Sequence, residues 1–98
     1  MNMFDLVDQR LRFRGTVIYT NYTHIKMNDI YRTDTNEKVS DYARTKINKE
    51  MYELNLKEGD VIEFTATVQL VFDPYVKIQP NKCRFYRIAK PVKLNGDN

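Results

Sequence analysis

Few side chains in this 98-residue chain are of a type that does chemistry on a substrate. There is one imidazole, His24, and one thiol, Cys83. His24 has no nucleophile motif beside it. Cys83 has neither the helix start nor the C-x-x-C context that turns a thiol into a reactive thiolate. One cysteine makes no internal disulfide, and with one histidine it makes no metal site. The acidic residues are scattered, with no set spaced as metal ligands. The three glycines lie far apart, so no glycine-rich phosphate loop exists. These absences point away from an enzyme, a cofactor and a metal.

What the residues can do is bind. The chain has 16 Lys+Arg against 13 Asp+Glu, for a formal charge of +3, and carries seven Tyr, five Phe and no Trp. Lysine and arginine meet phosphates, and aromatic rings stack bases at roughly 1–3 kcal/mol each. Tyrosine adds a hydrogen-bonding tip, which suits a wet binding surface. The mild positive charge permits a nucleic-acid partner without demanding one. No apolar run approaches the roughly 20 residues of a membrane span. The opening MNMFDLVDQR lacks the charged-then-apolar order of a signal peptide. The expected setting is the reducing cytoplasm, away from membranes.

The elements that must position these residues are mostly strands. Residues 10–20, RLRFRGTVIYT, alternate with period two. Leu11, Phe13, Gly15, Val17 and Tyr19 share one face, and Arg10, Arg12, Arg14, Thr16 and Ile18 the other. Gly15 marks a bend or bulge in that strand. A short strand follows around Thr23–Met27, with Asn28 and Asp29 as turn formers. The polar TDTNEK of residues 33–38 reads as a hairpin loop. Val39–Lys46 is a weakly apolar third strand. Residues 48–56 form the one helix, capped by Asn48, with Ile47, Met51 and Leu54 as its buried stripe. The most legible stretch is 54–70, LNLKEGDVIEFTATVQL. Gly59 supplies a left-handed backbone after the helix. Ile62, Phe64, Ala66, Val68 and Leu70 then line one face of a fourth strand. Pro74 and Pro80 make 71–82 a long connection. Cys83–Ala89 closes the fold and Pro91 ends it. Residues 1–9 are an N-terminal arm or one helical turn, with Phe4, Val7 and Leu11 at helical spacing, and 95–98 a frayed tail.

Ninety-eight residues make one domain. The order β, β, β, helix, β, long loop, β is the signature of a five-stranded OB-fold-like barrel, mainly β, with one short helix between strands 3 and 4. An SH3-like barrel, or an open sheet packed on one helix, is the rival architecture. RFRGTVI at 12–18 resembles the opening strand of small OB-fold proteins of Gram-positive phages and mobile elements. ELNLKEGDVIEFTATV at 53–68 resembles the L-x-L-x-x-G-D-x-I-x-F-x-A-x-V stretch of that group, and RIAKPVKL at 87–94 its closing strand. The likeness spans most of 11–94, and Tyr22–Lys46 departs from it. It implies single-stranded nucleic-acid binding, which for that group is itself inferred from the fold.

A barrel of this class binds across its second and third strands and the loops joining strands 1–2 and 4–5. The expected nucleic-acid-binding residues are therefore Arg12 and Arg14 from the first strand, Tyr22 from the first loop and Lys26 from the second strand. Tyr42 and Arg44 come from the third strand, and Phe72, Tyr75 and Lys77 from the last loop. Arg10, Tyr19, Asn21, His24 and Lys46 lie in the same regions. Asp29, Asp41 and Asp73 lie beside this surface and would repel phosphate. The alternative function is a protein-binding accessory, or a phage-type inhibitor of a host nucleic-acid enzyme, using the same tyrosine-rich face. Its partner would be a replication or defence enzyme of host or phage. Homodimer formation through an exposed strand is a further expectation.

Overall fold

The structure is a computed structural model that describes residues 2–71 and 82–94. A 3-10 turn, Met3–Leu6, precedes β1 (Arg10–Thr20), β2 (His24–Arg32) and β3 (Glu37–Lys46). The short helix α1 (Lys49–Tyr52) leads to β4 (Val61–Val71) and β5 (Lys82–Lys93). The five strands form one sheet of order β3-β2-β1-β4-β5, with every neighbouring pair antiparallel. Among the described residues no helix is long and apolar enough to cross a membrane.

The mainly β architecture and the helix between strands 3 and 4 match expectation. The expected closure does not. β3 and β5 are the two edges of the sheet, and they approach each other without pairing. Both run parallel to β1, so closure would need the slanted hydrogen bonds of a parallel pair. β5 is poorly built for this. Its ladder to β4 is broken twice, once between Thr65 and Thr67 and once between Glu63 and Thr65. Bulges of this kind twist an edge away from further pairing.

The core forms between the inner faces of the curled sheet. Phe13, Phe64 and Phe85, from β1, β4 and β5, have ring centroids 6.1, 4.9 and 4.9 Å apart. Ile25, Met27 and Ile30 of β2, and Met51 of α1, complete it. The arm contributes by another spacing than expected. Met3 and Leu6 are buried and Phe4 is exposed, because Asn2 caps a 3-10 turn in which residues three apart fall on one side.

Gly15 lies at a register shift between Arg14 and Thr16. A Cβ there would stand 2.8 Å from Ile30 Cδ1 and 3.1 Å from Met27 Sδ. The close approach of β2, rather than backbone freedom, excludes a side chain. β2 runs on to Arg32 instead of ending at Met27, because the expected turn former Asp29 is absorbed as a left-handed residue (φ 54°) inside the strand. The helix is shorter than 48–56. Asn48 caps it through Met51 N at 2.9 Å, but Asn55 turns left-handed (φ 52°) well before Gly59 (φ 95°). Pro91 does not end β5. It sits buried at the bulge opposite Phe64, where no ladder N–H is needed.

Candidate functional site

Cross-strand register decides which basic residues meet. On the outer face of β2–β3, Lys26 lies directly opposite Arg44, and His24 opposite Lys46. Asn28 and Tyr42 form the next rung. Tyr19 joins them although sequence alternation places it inside. A register shift between Val17 and Tyr19 inserts one extra residue in β1 and turns Tyr19 outward. Its ring then lies under the Lys26 ammonium, 5.0 Å from the centroid. The loop before β2 is tied down by Asn21, whose side-chain oxygen accepts from the backbone N–H groups of Thr23 and His24 at 2.8 Å each. This leaves Tyr22 at the loop tip, 84% exposed.

Partial desolvation, followed by the fields of Arg44 and Lys46, holds the His24 imidazole below its usual pKa. Its Nδ1 shares a 2.8 Å hydrogen bond with the Thr23 hydroxyl. One like-charge rung, Lys26 opposite Arg44, therefore stands beside a rung in which Lys46 faces a largely neutral imidazole. Among the described residues, no carboxylate forms an ion pair with Lys26, Arg44 or Lys46.

Beside this face a cleft of about 820 Å³ opens between the unpaired edges of β3 and β5. Arg44, Lys46 and Tyr42 line one wall, and Arg84, Tyr86 and Arg87 the other. Phe85, Ile88 and Cys83 supply apolar lining, and among the described residues no Asp or Glu lines the cleft. Burial raises the pKa of the Cys83 thiol, which keeps it protonated and unreactive near neutral pH.

The other expected residues are placed elsewhere. Arg12 is already engaged. Its guanidinium pairs with Glu63 at 2.6 Å and donates to Thr65 Oγ1 and to the Lys90 carbonyl at 3.1 Å each. Arg10 repeats the arrangement one rung along, donating to Thr67 Oγ1 and to the Arg87 carbonyl. The arginine stripe thus ties β1 across β4 to the bulged β5. Arg14 stacks on Tyr31 at 5.0 Å and donates to Asn36 Oδ1 at 2.9 Å. Phe72, Tyr75 and Lys77, with Asp73, lie outside the described residues. Asp29 and Asp41 are held by Lys38 at 2.9 and 2.8 Å, which raises the Lys38 pKa and lowers that of Asp41.

Structure therefore brings together Lys26, Tyr42 and Arg44 from the expected set, with Tyr22 beside them. The cluster Arg84, Tyr86 and Arg87 was not expected. The run R-F-Y-R at 84–87 carried the signal, since two arginines flanking an exposed ring is a binding composition. It reads as plain strand alternation until the bulge is known. No protein-family model, curated protein or solved structure matches the chain.

Proposed function

We propose that the protein is a small non-enzymatic module that binds single-stranded nucleic acid on the outer face of β2–β3 and in the adjoining cleft. The observation that carries this is the basic cluster on one face of the ladder, the like-charge rung of Lys26 opposite Arg44 with Lys46 opposite His24 beside it. Like charges directly opposite on an antiparallel pair destabilise it. A phosphate backbone supplies the missing anions, and Tyr19, Tyr22 and Tyr42 offer rings to unstacked bases. The fold is consistent with an OB-fold-like barrel left open at one seam, since that class includes partly open five-stranded barrels. The affinity with small OB-fold proteins of phages and mobile elements, and a cytoplasmic location, belong to the same proposal.

The test is a titration of a labelled 20-base oligonucleotide at two salt concentrations. Binding at micromolar Kd or tighter is expected, with log K falling against log salt by about 0.7 per phosphate contacted. Absence of binding at low salt overturns the reading. Two open strand edges and the projecting Tyr22 favour a second reading, a protein-binding module that takes an added strand. That reading predicts binding to a partner protein with little salt dependence.

A further inference from the structure

We propose that Arg87 and Tyr86 of β5 form a second subsite for a single-stranded nucleic acid, on the wall of the cleft opposite Arg44, so that the bound strand crosses the open seam from β3 to β5. This rests on the function proposed above. It extends the ligand from the β2–β3 face onto a strand that sequence alternation reads as ordinary.

The geometry begins with the bulge. Thr65 pairs with Ala89 and Thr67 with Tyr86, so Arg87 and Ile88 together stand opposite the single residue Ala66. Strand alternation would put residues 86 and 87 on opposite faces. The extra residue lets both be exposed side by side, while Phe85 before them stays buried. The Arg84 and Arg87 guanidiniums lie over the Tyr86 ring, 5.8 and 5.9 Å from its centroid. A ring and two guanidinium planes in one place make a platform on which bases stack and phosphates pair. Among the described residues no carboxylate forms an ion pair with either arginine.

Arg87 also occupies a backbone position suited to another residue. Its φ is 56°, in the left-handed region where the first residue of such a bulge is ordinarily glycine. The carbonyl of Arg87 is held there by the Arg10 guanidinium at 2.9 Å. Lys90 is the internal control. It sits in the second bulge at φ 52°, with its carbonyl held by Arg12, but does not line the cleft.

The experiment compares Arg87→Gly with Lys90→Gly in the full chain, titrated with a labelled 20-base oligothymidylate. Each variant loses one positive charge and relieves one left-handed residue, so net charge and strain change alike. Both are expected to melt no lower than the parent. Arg87→Gly should weaken binding roughly tenfold and lower the salt slope by about one contact, with Lys90→Gly within about twofold of the parent. Tyr86→Leu should lose roughly 5- to 100-fold, and Tyr86→Phe should retain binding because the stacking face survives. Equal effects of the two glycine variants, or retention by Tyr86→Leu, overturn this subsite while leaving oligonucleotide binding itself in place. A parent protein that binds no oligonucleotide at low salt overturns both proposals.

Discussion

The two ends of the β2–β3 ladder use the same strands, the same antiparallel geometry and similar basic residues, yet treat charge in opposite ways. At the hairpin end Arg32 lies opposite Glu37 and pairs with Asp34 at 2.7 Å, while Lys38 bridges Asp29 and Asp41. At the other end Lys26 faces Arg44 and His24 faces Lys46 with no acid between them. Backbone structure cannot account for the contrast, since the ladder is common to both. The net +3 conceals it as well, because it averages an acidic region with a basic one. The hairpin end, with four carboxylates against two cations, presents no attractive field to a polyanion. Uncompensated rungs retain theirs, and the cleft beside them adds two more arginines on its far wall.

The largest effect is expected at the uncompensated end. Arg44→Glu together with Lys46→Glu should remove two charge-assisted contacts, each worth about 1.5–3 kcal/mol, and so lower oligonucleotide affinity at least about 100-fold. The same double variant should melt at or above the parent temperature, because the like-charge Lys26–Arg44 rung becomes an opposite-charge pair. Loss of binding with a lower melting temperature would mean that these cations serve the fold instead.

Gly15→Ala tests the close packing of β2 on β1 at the register shift. Its Cβ would press on the buried Ile30 and Met27 side chains, at a cost of about 1–3 kcal/mol by chemical denaturation. Arg12→Ala probes an engaged cation and should show the reverse of the Arg44 pattern. Stability should fall by about 1–2 kcal/mol through three lost hydrogen bonds, with oligonucleotide affinity within about twofold of the parent. A tenfold loss of affinity would return Arg12 to the binding face.

The smallest effects sharpen the boundary between the two ends. Lys38→Ala frees Asp29 and Asp41 beside Tyr42 and should weaken binding about threefold or less, an effect that vanishes at high salt. His24 should titrate below 6.5 in the free protein when followed by its ring proton signals. A bound phosphate backbone opposes the fields of Arg44 and Lys46 and raises that pKa. Binding therefore takes up a proton, and affinity should rise as pH falls from above the bound value through the free value. An unmoved His24 midpoint on saturation with oligonucleotide would place the ligand elsewhere.

Local pattern alone determined much of the scaffold. Period-two alternation in 61–70 places Ile62, Phe64, Ala66 and Val68 in the core, where all four are fully buried. The bounds of β1, the Asn48 cap and the left-handed Gly59 follow from residue type and near neighbours. Tyr42, Arg44 and Lys46 on one face of the third strand were legible for the same reason.

Tertiary structure decided the rest, because the deciding partners are distant or lie in a register between strands. Arg12 and Arg44 look alike in sequence, and only the arrival of Glu63 from β4 separates an engaged cation from an available one. Bulges are properties of two strands together, so Tyr19 turning outward and Arg87 standing beside Tyr86 could not be read from either strand alone. The open β3–β5 seam arises likewise. A chain encodes each strand by its own alternation, but whether two edges meet depends on twist and bulges accumulated across the whole sheet.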